Sequence, residues 1–259
     1  MTKRDSNGHT ADGQLHSGTI SYLAGPLVGT SGDGADKSTP GLPPLNEGWR
    51  WVVDWKGIDP DVLGAALVTE RRGLIRIPYL NPDASLCREK LIWRTPGRNP
   101  WWGEPKEAAI IPLGLETLPP VEERHCWVLL VAEGDSDTLA CRSAYRGVPD
   151  GSRFHGVAVI GLPSATIWKP EWAKHVSPFG RVFVLGDGDR PGRAMNQKVV
   201  RDVPDAIPVR LPDGRDARSI YLHGGRDALD RHLKRAEDDA RRRRARLSPR
   251  PQPPWEQFL

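Results

Sequence analysis

Three acids carry the strongest chemical signal in this sequence: Glu133, and the pair Asp187 and Asp189 separated by a single glycine. Each side of the trio stands where an apolar run ends, Glu133 after residues 127–132 and Asp187 after residues 182–185 with one glycine between. In an extended or turn segment an Asp-x-Asp points both carboxylates to one side, because side chains alternate with a period of two. Neighbouring carboxylates repel unless a cation lies between them, and hard oxygen ligands select Mg2+ or Mn2+. Glu133, opposite the pair, could ligate the same ion or move a proton at a nucleophile. Gly186 and Gly188 would leave the backbone open to a phosphate. The plainer alternative is that these are loop acids at strand ends, Asp189 serving as a helix cap.

The elements around these acids must bring them to one place. The run 127–132 is apolar without interruption, the pattern of a strand buried on both faces. Similar strands are expected at 157–161, 182–185 and 207–211, with helices at 136–146 and 192–203 between them. Strands alternating with helices at this spacing give a parallel sheet with crossover helices. Ligands of such sheets bind at the carboxyl ends of the strands, where the three acids stand. Upstream, 73–80 reads as a strand entering a turn at Asn81-Pro82-Asp83, with 91–94 as its hairpin partner. Asp59-Pro60-Asp61 reads as the capped start of a short helix.

The sequence therefore predicts an α/β protein in four parts: a disordered tail at 1–42, a small α+β subdomain at 43–120, the parallel-sheet domain at 121–225, and a helix with a basic, Pro-rich tail at 226–259. The chain has 259 residues, a net charge of +4 and 52 glycines and prolines (27 Gly, 25 Pro), which suits a folded core with long loops or disordered ends. Its three cysteines, Cys87, Cys126 and Cys141, form no CxxC pair, so neither a disulfide framework nor a cysteine-built zinc site is expected. The polar amino terminus and the lack of a long apolar run predict a cytoplasmic protein with no membrane partner.

Two motifs carry a resemblance. Glu133-Gly134-Asp135-Ser136-Asp137-Thr138-Leu139 resembles the Glu-Gly-x-x-Asp-x-Leu motif of Toprim domains, and Asp187-Gly188-Asp189-Arg190-Pro191-Gly192 resembles their Asp-x-Asp-x-x-Gly motif. The likeness spans about residues 124–225, with the loop 161–165 between the motifs in the same order. The preceding segment resembles the polymerase core of bacterial and phage DnaG-type primases, on Ile75-Arg76-Ile77-Pro78-Tyr79, Ile92-Trp93-Arg94 and Pro112-Leu113-Gly114-Leu115. The resemblance implies a Toprim fold, a metal site of Glu133, Asp187 and Asp189, and supporting roles for Gly134, Asp137, Gly192 and Asp216. Asp137, one helical turn into the following helix, would orient Glu133 or a basic neighbour. It further implies synthesis of short RNA primers on single-stranded DNA from ribonucleoside triphosphates, with Mg2+ or Mn2+ as cofactor.

The departures from the family matter equally. No zinc module and no nucleotide-binding P-loop stand in the sequence, so a zinc-binding subunit and a replicative helicase would be separate partners. Where the family often has a second Asp-x-Asp after the fourth strand, this chain has Asp216-Ala217-Arg218, which puts an outer metal site in doubt. A Toprim nuclease, or a DNA-binding module without catalysis, remain the alternative readings.

Basic residues supply candidate contacts. Lys90, Arg94 and Arg98 lie among Trp93, Trp101 and Trp102, a mixture suited to stacking bases and pairing phosphates, though also to a solvated face over aromatic core. Arg190, beside the metal acids, could meet a triphosphate. The run from Arg241 to Arg246 could hold nucleic acid or merely solubilise a tail.

Overall fold

The computed structural model describes residues 50, 53, 56–93, 98–103, 105–148 and 156–247. The expected amino-terminal tail, Arg94 and the Pro-rich segment from Ser248 lie outside the described residues.

The upstream segment opens with helix α1 (Pro60–Ala65), whose start is as expected: the Asp59 carboxylate accepts the Asp61 N–H at 2.8 Å. An antiparallel meander follows, β1 (Thr69–Arg71), β2 (Leu74–Leu80), β3 (Leu86–Trp93) and β4 (Trp101–Trp102). The β2–β3 turn is held by Asp83, which accepts the Ser85 N–H at 3.0 Å. The hairpin partner is longer than the expected 91–94. Its first half, Leu86–Lys90, is mostly polar and hides its strand character, because its partners are distant in sequence. Arg88, for example, is buried and donates to the carbonyls of Gly103 at 3.0 Å and Ala108 at 3.2 Å.

The second sheet is parallel throughout, with strand order β6-β5-β7-β8. Its strands are β5 (Val128–Glu133), β6 (Val157–Leu162), β7 (Arg181–Leu185) and β8 (Ile207–Pro208). Helix α2 (Gly134–Tyr145) follows β5, the short α3 (Ala173–Val176) precedes β7, and α4 (Arg190–Asp202) links β7 to β8. Strand β8 is shorter than the expected 207–211; the Val209 N–H just beyond it still donates to the Val184 carbonyl of β7 at 2.9 Å, so Pro208 turns its missing N–H to the free edge of the sheet. Leu113 adds an antiparallel bridge to Gly161 of β6, exchanging N–H···O bonds of 2.8 and 2.9 Å.

The long helix α5 (Ala217–Leu247) is interrupted at Gly224 and Gly225, the latter at φ +62°. It continues through the whole arginine run. Like charges in one helix need carboxylate neighbours, and these are present: Arg241 meets Glu237 at 2.9 Å, Arg242 meets Asp239 at 3.1 Å and Arg244 meets Asp205 at 2.8 Å.

The core has layers on both faces of the parallel sheet. Leu129, Val131, Ile160 and Val184 face Trp172, Val176, Met195 and Val199. Val128, Leu130, Phe183 and Leu185 face Cys141 and Ala144 of α2 and Leu229, Leu233 and Ala236 of α5. Leu139 and Leu113 instead join the meander's core beside Ile75, Ile77 and Tyr79. Parallel strands buried this way are stiff, so the residues at their carboxyl ends have well-set positions.

Candidate active site at the carboxyl ends of the parallel strands

Glu133 is the last residue of β5, and the Asp187 N–H donates to its Oε2 at 3.0 Å. The two motifs expected to meet therefore do meet, across adjacent strands. Gly134 turns the chain from β5 into α2 with φ +74°, a conformation that side chains resist. Thr138 then locks this turn, its hydroxyl donating to the Gly134 carbonyl at 2.6 Å.

The Asp187 loop is built by its glycines and by a residue the sequence did not suggest. Asn196, buried in α4, accepts the Gly186 N–H at 2.9 Å and donates to the Val209 carbonyl at 3.2 Å. A Cβ on Gly186 would collide with the Gly192 carbonyl, and one on Gly188 with the Pro212 carbonyl. On the side where a side chain would stand, these glycines serve close chain packing. Gly192 is equally constrained, since a Cβ there would strike the Asp187 backbone. Gly192→Ala should cost about 1–3 kcal/mol through forced backbone shifts at the site, measurable by urea unfolding. A cost under about 0.5 kcal/mol would show that the loop gives way freely.

Asp189 caps α4, accepting the Gly192 N–H at 2.8 Å. The plainer alternative for Asp189 thus holds in this structure, alongside its place next to Asp187. Asp137 is buried and accepts the Arg218 N–H at 2.8 Å. Asp216 caps α5, its carboxylate accepting the Ser219 N–H at 2.5 Å while Ser219 Oγ accepts the Asp216 N–H at 3.1 Å.

The electrostatics of this cluster favour a cation. Burial, followed by Asp137, Glu133, Asp216 and Asp189, pushes the Asp187 carboxyl up to about 8. Burial and then Asp216 push Asp137 up to about 7. Burial also raises Glu133. Asp187 Oδ1 is buried without a hydrogen-bond partner among the described residues. An orphaned carboxylate oxygen among four other acids fits a hard divalent cation. Among the described residues, no three such side chains already converge as a cation cage. Glu133, Asp137 and Asp189 each accept a backbone N–H instead.

Two basic side chains stand beside these acids. Arg218 Nη2 lies 3.7 Å from Asp216 Oδ2, in the position where the resembling family often has an acid. Lys56 is a basic neighbour of these acids that sequence reasoning missed: burial and then Arg218 bring its ammonium down to about 8, against the pull of Asp137, Asp216 and Asp135. Nothing near Lys56 in the sequence marks it, because it reaches the site only through the fold.

The other basic candidates divide. Lys90 is engaged rather than open to substrate: its Nζ is 2.6 Å from Asp135 and 3.2 Å from the Pro163 carbonyl, and the Tyr79 hydroxyl donates to the same Asp135. The Arg98 guanidinium lies 4.9 Å from the centre of the Trp93 ring, which in turn lies 5.7 Å from Trp101. Arg190 is exposed at the first turn of α4.

No family model matches the chain. The Gene 57 protein of Mycobacterium phage D29 is 34% identical over 106 residues, 41% of this chain and 62% of that protein, so less than two thirds of its length is spanned. Three solved structures share the fold at low identity. The DnaG catalytic core has a TM-score of 0.57 at 12% identity, covering 74% of each chain. The DnaG primase catalytic domain bound to single-stranded DNA scores 0.56 at 13% identity, covering 74% of this chain and 73% of that one. The primase fragment of the bacteriophage T7 primase-helicase scores 0.52 at 16% identity, covering 70% and 72%. An α/β chain with a parallel sheet flanked by helices and preceded by an antiparallel meander, this protein has the fold of DnaG-type and phage primase catalytic cores.

Proposed function

We propose that this chain is a DNA primase-like nucleotidyltransferase that makes short RNA primers on single-stranded DNA. The observation that carries the reading is the crowd of acids around the orphaned Asp187 oxygen, at the end of a sheet whose fold matches primase cores. Glu133, Asp187 and Asp189 would hold Mg2+ or Mn2+, which supplies charge stabilisation for the transferring phosphoryl group. Glu133, raised by burial, is the candidate to accept the proton of the attacking 3′-hydroxyl. Asp137 and Asp216 stand behind the site, with Arg218 and Lys56 near them as basic neighbours. Arg190 stands beside Asp189, where a triphosphate could be met, and the Arg98–Trp93–Trp101 stack offers a face for bases of a template.

The choice of template is supported by two structures of similar fold, one a primase domain bound to single-stranded DNA and the other part of a primase-helicase. A separate replicative helicase and a zinc-binding subunit are the partners this reading calls for. No described helix is long and apolar enough to cross a membrane.

The test is direct. Purified protein with single-stranded DNA, labelled ribonucleotides and Mg2+ or Mn2+ should yield new short RNA on a denaturing gel, abolished by a chelator. Shortened template instead of new RNA would make the chain a nuclease using the same acids. Neither product, with single strands still bound, would make it a binding module.

A further inference from the structure

Two grooves run together along the β8 side of the parallel sheet. One, of about 550 Å³, is lined by Asp187, Arg193, Arg210 and Arg243; the other, of about 620 Å³, by Arg210, Arg235, Arg242, Arg243 and Arg246. They share Pro208, Arg210, Leu211 and Arg243, so they form one channel that starts at a metal-site acid and ends on the arginine helix. Six arginines face the channel against three acids. Asp213 and Asp239 are each tied to one of those arginines, at 3.1 Å in both cases, and Asp187 closes the end. From Arg235 to Arg246 the helix carries this charge for about 16 Å, at 1.5 Å of rise per residue.

The positions follow from the sequence. In α5, Leu229, Leu233 and Ala236 are buried against the sheet, which turns Arg235, Arg242, Arg243 and Arg246 outward around the groove. Beyond Pro208, Val209 points into the core, so Arg210 next to it is exposed. Pro208, Leu211, Pro212 and Ala236 give the channel an apolar floor between the charges. Guanidinium groups spaced along an apolar floor suit a phosphate backbone with sugars and bases, since arginine pairs phosphate in a bidentate way and also stacks.

We propose that this channel is a second nucleic-acid site, holding the sugar–phosphate backbone of a single strand that leads to Asp187. That the strand's end meets the reacting centre rests on the proposed function; that the channel binds a strand does not. The shared chemistry is a single-stranded polyphosphate backbone, from either template DNA or product RNA.

The experiment measures binding of fluorescent dT and U oligonucleotides to the full chain in EDTA, where no synthesis occurs, from about 50 to 200 mM salt. Arg210→Glu with Arg243→Glu should weaken binding at least tenfold and lower the log–log salt slope by roughly 0.7 for each phosphate left unpaired. Asp213→Asn and Asp239→Asn, which release Arg193 and Arg242, should tighten binding severalfold, so the test stands even if the charge reversals unfold. Weaker binding of the DNA oligomer alone assigns the channel to template, and weaker binding of the RNA alone assigns it to product. Unchanged affinity and slope in both sets overturns the proposal, as does equal competition by polyglutamate, which would mark a site for acidic protein. If wild-type protein makes no RNA but the Glu variants lose binding, the function reading fails and the channel stands. New RNA with an unchanged slope keeps the function and removes the channel.

Discussion

Asp187→Asn should lower metal-dependent turnover by at least about 100-fold while leaving the metal-free fold more stable than the original. The two halves of this result have one cause. Burial first, and then four neighbouring acids, hold the Asp187 carboxyl up at about 8, and its buried Oδ1 has no partner among the described residues. For an acid raised in the folded state, the sign is definite. Its contribution to stability is complete below the ordinary value of 3.8 and is lost as pH climbs toward about 8. Asparagine keeps the shape and removes that burden. Thermal melts in EDTA at pH 8 should therefore give a higher Tm for the variant. Added Mg2+ should raise the original's Tm much more than the variant's, by linkage. Asp189→Asn should lose turnover alike but with less change in the melt, since Asp189 is exposed and caps α4. Near-original turnover by either variant at saturating Mg2+ would remove these acids from the chemistry.

Lys90→Met should destabilise the protein by about 3–5 kcal/mol, the usual cost of leaving a buried charge without its counter-ion. Asp135 is almost fully enclosed, and its negative charge is met by Lys90 Nζ at 2.6 Å and by the Tyr79 hydroxyl. Lys90 and Tyr79 belong to the meander and Asp135 to the first turn of α2, so the contact ties the two sheets together two residues beyond Glu133. Lys90→Met with Asp135→Asn should recover a large part of the loss, because no buried charge then remains. Urea unfolding of the single and double variants measures the coupling. A loss below about 1 kcal/mol, together with a weaker grip on nucleotide, would return Lys90 to a substrate-binding role.

What was legible in the sequence was local. Uninterrupted apolar runs announced β5, β6 and β7, and acids at their ends were necessarily at one edge of a parallel sheet. Asn81-Pro82-Asp83 and Asp59-Pro60-Asp61 announced a turn and a cap through their own hydrogen bonds. What was hidden depended on distant partners. Polar residues of β3 look unlike a strand until Arg88 is seen reaching the Gly103 carbonyl. Lys56 lies 77 positions before Glu133, yet feels Asp137 and Asp216. Lys90 reads as a free cation among tryptophans, and only the packing of meander on α2 commits it to Asp135. The edge position of β8 was in principle visible, since a proline stands at its second residue.

That same proline bears on how the molecule behaves in a crowd. A sheet of four parallel strands has two open rims, each with unpaired backbone groups that could recruit a strand from another copy. On the β6 rim, Leu113 takes both hydrogen bonds of Gly161. On the β8 rim, the strand is two residues long and one of them, Pro208, has no N–H to offer. The arginines of α5 then line the space beside it. Strand-by-strand aggregation is thus discouraged at both ends, and the rim nearer Asp187 stays available to a polyanion instead of a neighbouring chain.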